Sequence, residues 1–310
     1  MTPASARALL AGLVDYAGLF PPAGLGMQEA LAEYARWRGS PEAWMLGRFV
    51  APAARLVELG RAADALFPEP GAGEAWRLSA LLGADVHGDA ARALSWNVSH
   101  SGRAVVDSVE LKAASRPEAE AALDALPPGL LAFVELPLAE DLRELLGTLK
   151  RRGARAKART GGVVPEAIPD PGDVARFIVA CAAAGVPFKA TAGLHHPLRS
   201  EQALTYEPGS QRALMHGFLN VFAAAAFARE GLTADEVEAV LREDDPRAFR
   251  LDDTGLDWRG LRVATDALAA TRRDFAFSFG SCSFAEPVAE LRALDVLAPE
   301  GVAAQPRGRS

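Results

Sequence analysis

The sequence predicts an α/β fold, a (β/α)8 TIM barrel with an N-terminal helix and a helical insertion after the seventh strand. Short apolar segments alternate with helical patterns along the chain, which is typical of a parallel sheet. Eight such units can be counted, which favours closure into a barrel. An open doubly wound sheet is the structural alternative. No G-x-G-x-x-G motif follows a predicted strand, so a dinucleotide-binding sheet has little support.

The first half of the chain contains a helix and five strand–helix units. The N-terminal helix is predicted over residues 4–14. The strands are short apolar runs, predicted over residues 16–20, 44–50, 76–82, 104–111 and 130–136. The helices have apolar residues at helical spacing and are predicted over residues 27–38, 53–67, 89–98, 117–126 and 138–152.

The second half contains the last three units. Strands six, seven and eight are predicted over residues 154–159, 187–192 and 275–279, with helices at 170–185 and 287–297. The segment 197–274 between strands seven and eight is predicted to be helical. Its three helices are marked by apolar spacing in Leu214, Phe218, Val221 and Phe222, by a Thr233-x-x-Glu236 capping box, and by Trp258, Leu261, Thr265 and Leu268. We expect one domain over 1–298 and a flexible tail over 299–310.

Net charge, apolar run length and cysteine content indicate which partners and which cellular compartment to expect. The net charge of −7 argues against nucleic acid as a partner. No apolar run reaches the roughly 18 residues that a membrane span requires. Two cysteines, Cys181 and Cys282, form no CxxC pair, which favours a reducing cytoplasm. We therefore expect a cytoplasmic protein with a small-molecule partner; its oligomeric state is left open.

Lysine is scarce in this chain. Only four of the 33 basic residues are lysines, namely Lys112, Lys150, Lys157 and Lys189, and the rest are arginines. Arginine hardly titrates and forms no imine, whereas a buried lysine titrates readily and can form an imine. A lysine inside an apolar strand is therefore a candidate for chemistry.

Polar residues stand late in several predicted strands, where the active sites of closed barrels lie. From strand four to strand eight they are Glu110, Lys112, Glu135, Lys157, Arg159, Thr160, Lys189, Thr191, His195, Ser281, Cys282 and Ser283. Lys157 and Lys189 fall on successive strands. Two amines facing one cavity would lower each other's pKa, and a neutral amine attacks carbonyl carbon. The alternative is that these residues form buried ion pairs with glutamates and do no chemistry.

Three motifs carry a family resemblance. Lys157-Ala158-Arg159-Thr160-Gly161-Gly162 resembles the strand-six motif Lys-Thr-Ser-Thr-Gly-Phe of 2-deoxyribose-5-phosphate aldolases. Phe188-Lys189-Ala190-Thr191-Ala192-Gly193 is similar to that family's Lys-Pro-Ala-Gly-Gly on strand seven, and Phe279-Gly280-Ser281-Cys282-Ser283 to its Phe-Gly-Ala-Ser-Ser on strand eight. The resemblance covers roughly residues 154–199 and 276–294.

The resemblance implies a class I aldolase barrel. It makes Lys157 the imine former, Lys189 its partner and Glu110 the acid/base, near where the family keeps a catalytic Asp. The family's phosphate-binding Gly-Gly and following Arg are replaced in this chain by Gly193-Leu194-His195-His196. We therefore do not expect deoxyribose phosphate itself to be the substrate.

The sequence thus predicts a Schiff-base carbon–carbon lyase acting on a small carbonyl compound that carries an anionic group. It needs no metal or other cofactor. The predicted catalytic residues are Lys157, Lys189, Glu110, Glu135 and His195. The predicted substrate-binding residues are Arg159, Thr160, Gly162, Thr191, Gly193, His196, His216, Ser281, Cys282 and Ser283.

Two other functions stay open at this point. His195 or His196, with His216 and Glu135, could bind a divalent metal in a lyase or hydrolase. His216 and Asn220 are expected one turn apart on an apolar helix. The second of these functions is a barrel that binds a small molecule without turning it over. For Cys282 alone, a covalent role is an alternative to substrate binding.

Overall fold

The computed structural model of the chain describes residues 1–298, so the predicted tail 299–310 lies outside the described residues. Seven strands alternate with helices along its first 191 residues. The strands are β1 (Val14–Tyr16), β2 (Leu46–Pro52), β3 (Trp76–Leu81), β4 (Ala104–Lys112), β5 (Leu131–Glu135), β6 (Arg155–Arg159) and β7 (Phe188–Thr191). The helices are α1 (Ala4–Leu10), α2 (Met27–Arg38), α3 (Leu56–Ala63), α4 (Val86–Ser99), α5 (Arg116–Asp124), α6 (Arg143–Arg152) and α7 (Pro171–Ala184).

A longer segment follows β7 before the last unit. It contains β8 (Ser200–Ala203), β9 (Arg212–Met215), α8 (Phe218–Arg229), α9 (Ala234–Arg242), β10 (Phe249–Leu251), β11 (Gly255–Trp258), β12 (Leu261–Ala264) and α10 (Thr265–Asp274). The chain then returns to the sheet with β13 (Ala276–Ser281) and ends its described part with α11 (Ala285–Ala293).

Eight parallel strands close into one barrel, which confirms the predicted (β/α)8 fold. Around the barrel their order is β1-β13-β7-β6-β5-β4-β3-β2. Apolar side chains of the strands and helices form the core around the barrel wall, as they do when helices cover the outer face of a parallel sheet. Helix α6 begins at Arg143, five residues later than predicted, but the rest of its pattern is confirmed: Leu145, Leu146 and Leu149 are buried, and Gly153 ends it with a φ of 64°.

The first strand lies earlier than predicted. Helix α1 ends at Leu10, and β1 comprises Val14, Asp15 and Tyr16 rather than residues 16–20. The predicted segment instead folds over the end of the barrel, where the Ala17 N–H donates to the carbonyl of Ser281 at 2.6 Å. Pairing with β2 and β13 fixes this strand, and both partners lie far from it along the chain, since β2 begins at Leu46 and β13 at Ala276.

The insertion is only partly helical, which corrects the prediction. Its capping box at Thr233 and Glu236 is confirmed. The predicted third helix begins only at Thr265, because Trp258 and Leu261 lie on the antiparallel strands β11 and β12. Arg259 and Gly260 between them both have positive φ, as a two-residue hairpin turn requires. Among residues 1–298, no helix has the length and apolar character to cross a bilayer.

Candidate active site

Three neighbouring strands place charged side chains at one level of the barrel. Glu135 on β5 is the register partner of Lys157 on β6, and Lys157 is the register partner of Lys189 on β7. Residues in register on adjacent parallel strands project to the same side of the sheet. The barrel therefore collects in its interior three side chains that lie 22 or more residues apart along the chain.

Glu110 joins the two lysines. Nζ of Lys157 lies 2.8 Å from Oε2 of Glu110, and Nζ of Lys189 lies 2.7 Å from Oε1. Ser79 donates its hydroxyl to Oε1 of Glu110 at 2.7 Å. Burial alone would raise the pKa of Glu110, but Lys157 and Lys189 overcome that effect and hold the pKa well below its usual range. Glu110 is thus a buried, ionised carboxylate.

Lys189 is enclosed by carboxylates. It is 1% exposed and donates hydrogen bonds to Asp15 at 2.6 Å and to Glu110 at 2.7 Å. Asp15 also accepts a hydrogen bond from the hydroxyl of Ser278 at 2.7 Å. Burial lowers the pKa of Lys189, but Asp15 and Glu110 raise it by more than burial lowers it, so the net shift is upward. Lys189 is therefore a fixed ammonium group, and the expectation that the neighbouring amine lowers its pKa is wrong.

Glu135 is held less completely. Its Oε1 accepts from Arg159 at 2.9 Å and lies 3.6 Å from the exposed Lys112. Its Oε2 lies 3.0 Å from Nζ of Lys157, but this buried oxygen has no aligned hydrogen-bond donor within residues 1–298. Burial raises the pKa of Glu135, whereas Lys157 and Arg159 lower it, and the net shift is downward. Glu135 is an ionised acceptor with one oxygen free to take a proton.

Each carboxylate of the cluster has at least one cation beside it. Asp15, Glu110 and Glu135 face Lys157, Lys189 and Arg159, and the exposed Lys112 lies at the edge against Glu135. Burial raises the pKa of Asp15, but Lys189 and Arg48 bring it below its ordinary value. Removing any one of these side chains should destabilise the fold, because an oppositely charged neighbour would then be buried without compensation.

A cavity of about 410 Å³ opens above the cluster at the carboxyl ends of the strands. Lys157 lies in its wall and is 4% exposed. The predicted residues in this wall are Glu110, Lys157, Arg159, Gly162, Thr191, Gly193, His195 and Cys282. Much of the rest is apolar and includes Phe20, Pro21, Pro22, Val50, Leu81, Val163, Val164, Leu204 and Met215. The cavity thus has the size and the mixture of apolar wall and few polar groups of a small-molecule site.

Seven of the fifteen predicted site residues do not line this cavity. Lys189 and Glu135 lie behind the wall, in contact with residues that do line it. Thr160 donates its hydroxyl to the carbonyl of Ala192 at 2.7 Å, and Ser283 accepts from the Glu286 N–H at 3.2 Å near the start of α11. The others contact protein groups as well: Ser281 accepts from the Ser283 N–H, His196 contacts Glu290, and His216 contacts the carbonyl of Pro169.

Two loops meet at the mouth of the cavity. Gly193 follows β7 with a φ of 75°, and Ala192 before it has a φ of 63°, which is unusual for a residue with a side chain. A Cβ atom on Gly193 would lie 2.8 Å from Cα of Gly161, which follows β6. The two backbones are therefore in direct contact, and strain of this kind is found at functional sites.

His195 belongs to a second polar group in the cavity wall. Its Nδ1 lies 2.8 Å from Oε2 of Glu286, and its Nε2 lies 3.8 Å from Sγ of Cys282. The hydroxyl of Tyr206 lies 3.7 Å from the same sulfur and donates to Glu286 at 3.2 Å. Burial lowers the pKa of His195, but Cys282 and Glu286 raise it to about 9. His195 is thus an imidazolium at neutral pH.

The structure identifies residues that the sequence did not. Asp15 stands between Val14 and Tyr16, and an acid inside an apolar run could have indicated it, but the predicted strand began one residue later. Glu286 and Tyr206 give no such signal. Glu286 lies in the first turn of α11, and Tyr206 lies in the connection between β8 and β9.

The histidines do not form the alternative metal site. Within the described part of the chain, no group of three or more His, Cys, Asp or Glu side chains is arranged to hold a metal ion. His216 precedes α8 instead of lying on it with Asn220. His216 is 1% exposed, and burial lowers its pKa. Its Nε2–H donates to the carbonyl of Pro169 at 2.9 Å.

Comparison of the chain with protein-family models and with curated proteins gave no match.

Proposed function

We propose that the chain is a class I, Schiff-base carbon–carbon lyase of the aldolase type. The observation that carries the proposal is the position of Lys157. Its amine is in the wall of the cavity, 2.8 Å from one carboxylate and 3.0 Å from another. An amine that can be reached by a carbonyl compound, with bases beside it to move protons, is what imine chemistry requires.

Imine formation begins with proton transfer from Lys157. Its ammonium group passes a proton to the free oxygen of Glu135, and the neutral amine bonds to the carbonyl carbon of the substrate. The bonded nitrogen passes one proton to the former carbonyl oxygen, Glu135 returns its proton to the nitrogen, and a second proton moves from the nitrogen to the oxygen, which leaves as water. The product is a protonated imine on Lys157, whose positive charge Glu110 stabilises from 2.8 Å.

Carbon–carbon cleavage follows from that charge. A base takes the proton of the substrate's β-hydroxyl, the adjacent carbon–carbon bond breaks, its electron pair becomes the enamine double bond, and the π pair of the imine moves to nitrogen. An aldehyde leaves, and an enamine stays on Lys157. Protonation of the enamine carbon and addition of water release the second carbonyl product and restore the amine.

Lys189 has a positioning role in this proposal. It holds Oε1 of Glu110 from below, while Lys157 lies against Oε2. Glu110 therefore stays ionised and fixed in orientation beneath the reacting nitrogen. Lys189 acts through Glu110 and does not touch the substrate.

The substrate is a small carbonyl compound with an anionic group. A cavity of about 410 Å³ lies at the lower end of the size range of small-molecule sites. Arg159 lies in its wall with 43% of its side chain exposed, and one of its nitrogens is used by Glu135. The remaining guanidinium N–H groups can bind a carboxylate or phosphate.

Borohydride trapping tests the proposal. The protein is incubated with a panel of 2-oxoacids, hydroxyketones and aldehydes, reduced, digested and analysed by mass spectrometry. With four lysines in the chain, each adduct can be assigned. We expect an adduct on Lys157 that is absent in Lys157→Arg and retained in Lys112→Met, an exposed lysine that also faces Glu135. Adducts confined to Lys112 and Lys150, or saturable binding without any trapping, would refute the lyase and favour a binding protein.

A further inference from the structure

We propose that the cavity contains a second nucleophilic centre, in which Cys282 accepts an acyl group from a small thioester or activated ester, with His195 as acid/base and Glu286 as its orienting carboxylate. This activity does not depend on the Schiff-base chemistry of Lys157, because the two centres use different nucleophiles. It would make the protein an acyl-transferring thiol enzyme as well.

The geometry is that of a nucleophile, a base and a third group, each in contact with the next. Sγ of Cys282 lies 3.8 Å from Nε2 of His195, and the opposite ring nitrogen lies 2.8 Å from Glu286. The carboxylate fixes the orientation of the ring, so that its Nε2 points at the sulfur. A cysteine thiol with these neighbours differs from an inert buried cysteine, which has only apolar surroundings.

Burial and access also fit a reactive thiol. Cys282 and His195 are 5% and 7% exposed, yet both line the cavity, so a ligand reaches them only from inside it. Cys282 directly follows β13, and α11 begins three residues later at Ala285. The second cysteine, Cys181, is 0% exposed within α7, and burial raises its thiol pKa well above the usual value.

The titratable groups around the sulfur come from four segments. His195 follows β7, Tyr206 lies between β8 and β9, Glu286 lies on α11, and Tyr16 ends β1. Burial, with Cys282 and other acidic neighbours, raises the pKa of both tyrosines, so they stay neutral. The cation in this group is therefore His195, and an imidazolium is the partner that stabilises a thiolate.

Acyl transfer, rather than simple addition to an aldehyde, uses every part of this centre. Sγ bonds to the acyl carbon, the bond from that carbon to the leaving thiolate or alkoxide breaks, and the proton shared by Sγ and Nε2 goes to the leaving group. Water then gives a proton to Nε2, its oxygen bonds to the acyl carbon, and the carbon–sulfur bond breaks. The products are a thiol or alcohol and a carboxylic acid, and the cysteine is restored. An imidazole held by a carboxylate is needed to move the proton in both halves.

Acylation with p-nitrophenyl acetate and with acetyl and butyryl N-acetylcysteamine thioesters tests the proposal. We expect a burst of one equivalent of p-nitrophenolate and an acetyl group on the peptide that contains Cys282. The burst should vanish in Cys282→Ser and persist in Cys181→Ser, the matched control. At pH 7, alkylation of Cys282 by iodoacetamide should slow by about tenfold in His195→Asn, as expected when a thiol loses a cationic partner.

Glu286→Gln is a second variant that keeps the shape of the centre. It should reduce the acylation rate while leaving borohydride trapping at Lys157 unchanged, with folding checked by circular dichroism. The proposal is overturned if neither ester nor thioester acylates Cys282, or if acylation is equal in the wild type and in His195→Asn and Glu286→Gln. Fast alkylation without acylation also overturns it. Mass spectrometry distinguishes an adduct on Lys157 from one on Cys282, so either proposal can fail without the other.

Discussion

Lys157 and Lys189 lie against opposite oxygens of the same carboxylate, that of Glu110, at 2.8 Å and 2.7 Å. They are also register partners on adjacent strands. Yet their environments differ: Lys157 faces a cavity, whereas Lys189 is enclosed by Asp15 and Glu110. One shared carboxylate thus separates an amine that a ligand can reach from an amine that only holds the site together.

The first prediction concerns stability. Lys189→Met should lower the free energy of unfolding by about 3–5 kcal/mol, because it leaves Asp15 and Glu110 as buried carboxylates that lack a cation. Urea denaturation measures the loss. The double variant Asp15→Asn with Lys189→Met should lose less than the single variant. Lys112→Met is the control, and since 74% of its side chain is exposed it should change stability little. A loss as small for Lys189→Met as for Lys112→Met would contradict the structural role.

The second prediction concerns proton transfer. Glu135→Gln should slow imine formation on Lys157 by about 10²–10⁴-fold, the usual contribution of a general acid or base. Stopped-flow absorbance of the imine with a trapped carbonyl compound measures the rate. Glu140→Gln, an exposed glutamate in the loop after β5, is the control. Equal rates in Glu135→Gln and the wild type would assign the proton transfer to another group.

The third prediction concerns substrate charge. Arg159→Met should raise KM for an anionic substrate by about 10–100-fold, as when a hydrogen bond to a charged group is lost. For a neutral analogue of the same shape KM should hardly change. Steady-state kinetics with both compounds separates the two effects, since Arg159 also binds Glu135 and loss of that contact would affect both substrates alike. Arg143→Met, on the exposed side of α6, serves as control.

The fourth prediction concerns acid. The pKa values of Asp15 and Glu110 are lowered in the folded protein. Their stabilisation is therefore complete above the unfolded values of about 4 and is lost as the pH falls through the folded values. In Glu110→Gln the free energy of unfolding should decline less steeply below pH 4, by up to about 1.4 kcal/mol per pH unit. Urea denaturation at a series of pH values measures the slope. Glu58→Gln, which removes an exposed partner of Arg55, should keep the wild-type slope within error. A slope in Glu110→Gln as steep as in wild type would contradict an ionised Glu110 in the folded protein.

The sequence by itself determined the fold class. Strand-length apolar runs that alternate with helical patterns predict a parallel sheet, and eight such units favour a barrel. The pairing of β1 with β13 decided for the closed barrel against the open doubly wound sheet. The same rule, that barrel sites lie at strand ends, selected Glu110, Lys157, Arg159, Thr191, His195 and Cys282, all of which line the cavity. Because lysine is scarce in this chain, Lys157 and Lys189 stand out within apolar strands on sequence alone.

Only the tertiary structure decided how these groups are paired. Lys189 and Asp15 are 174 residues apart, and Cys282 and His195 are 87 residues apart. Barrel closure joins β1 to β13, and the segment after β7 brings Tyr206 to the sulfur. Charge state depends on such partners, because burial and neighbouring carboxylates shift a lysine pKa in opposite directions, and the sequence contains neither the distance nor the burial that decides which effect is larger.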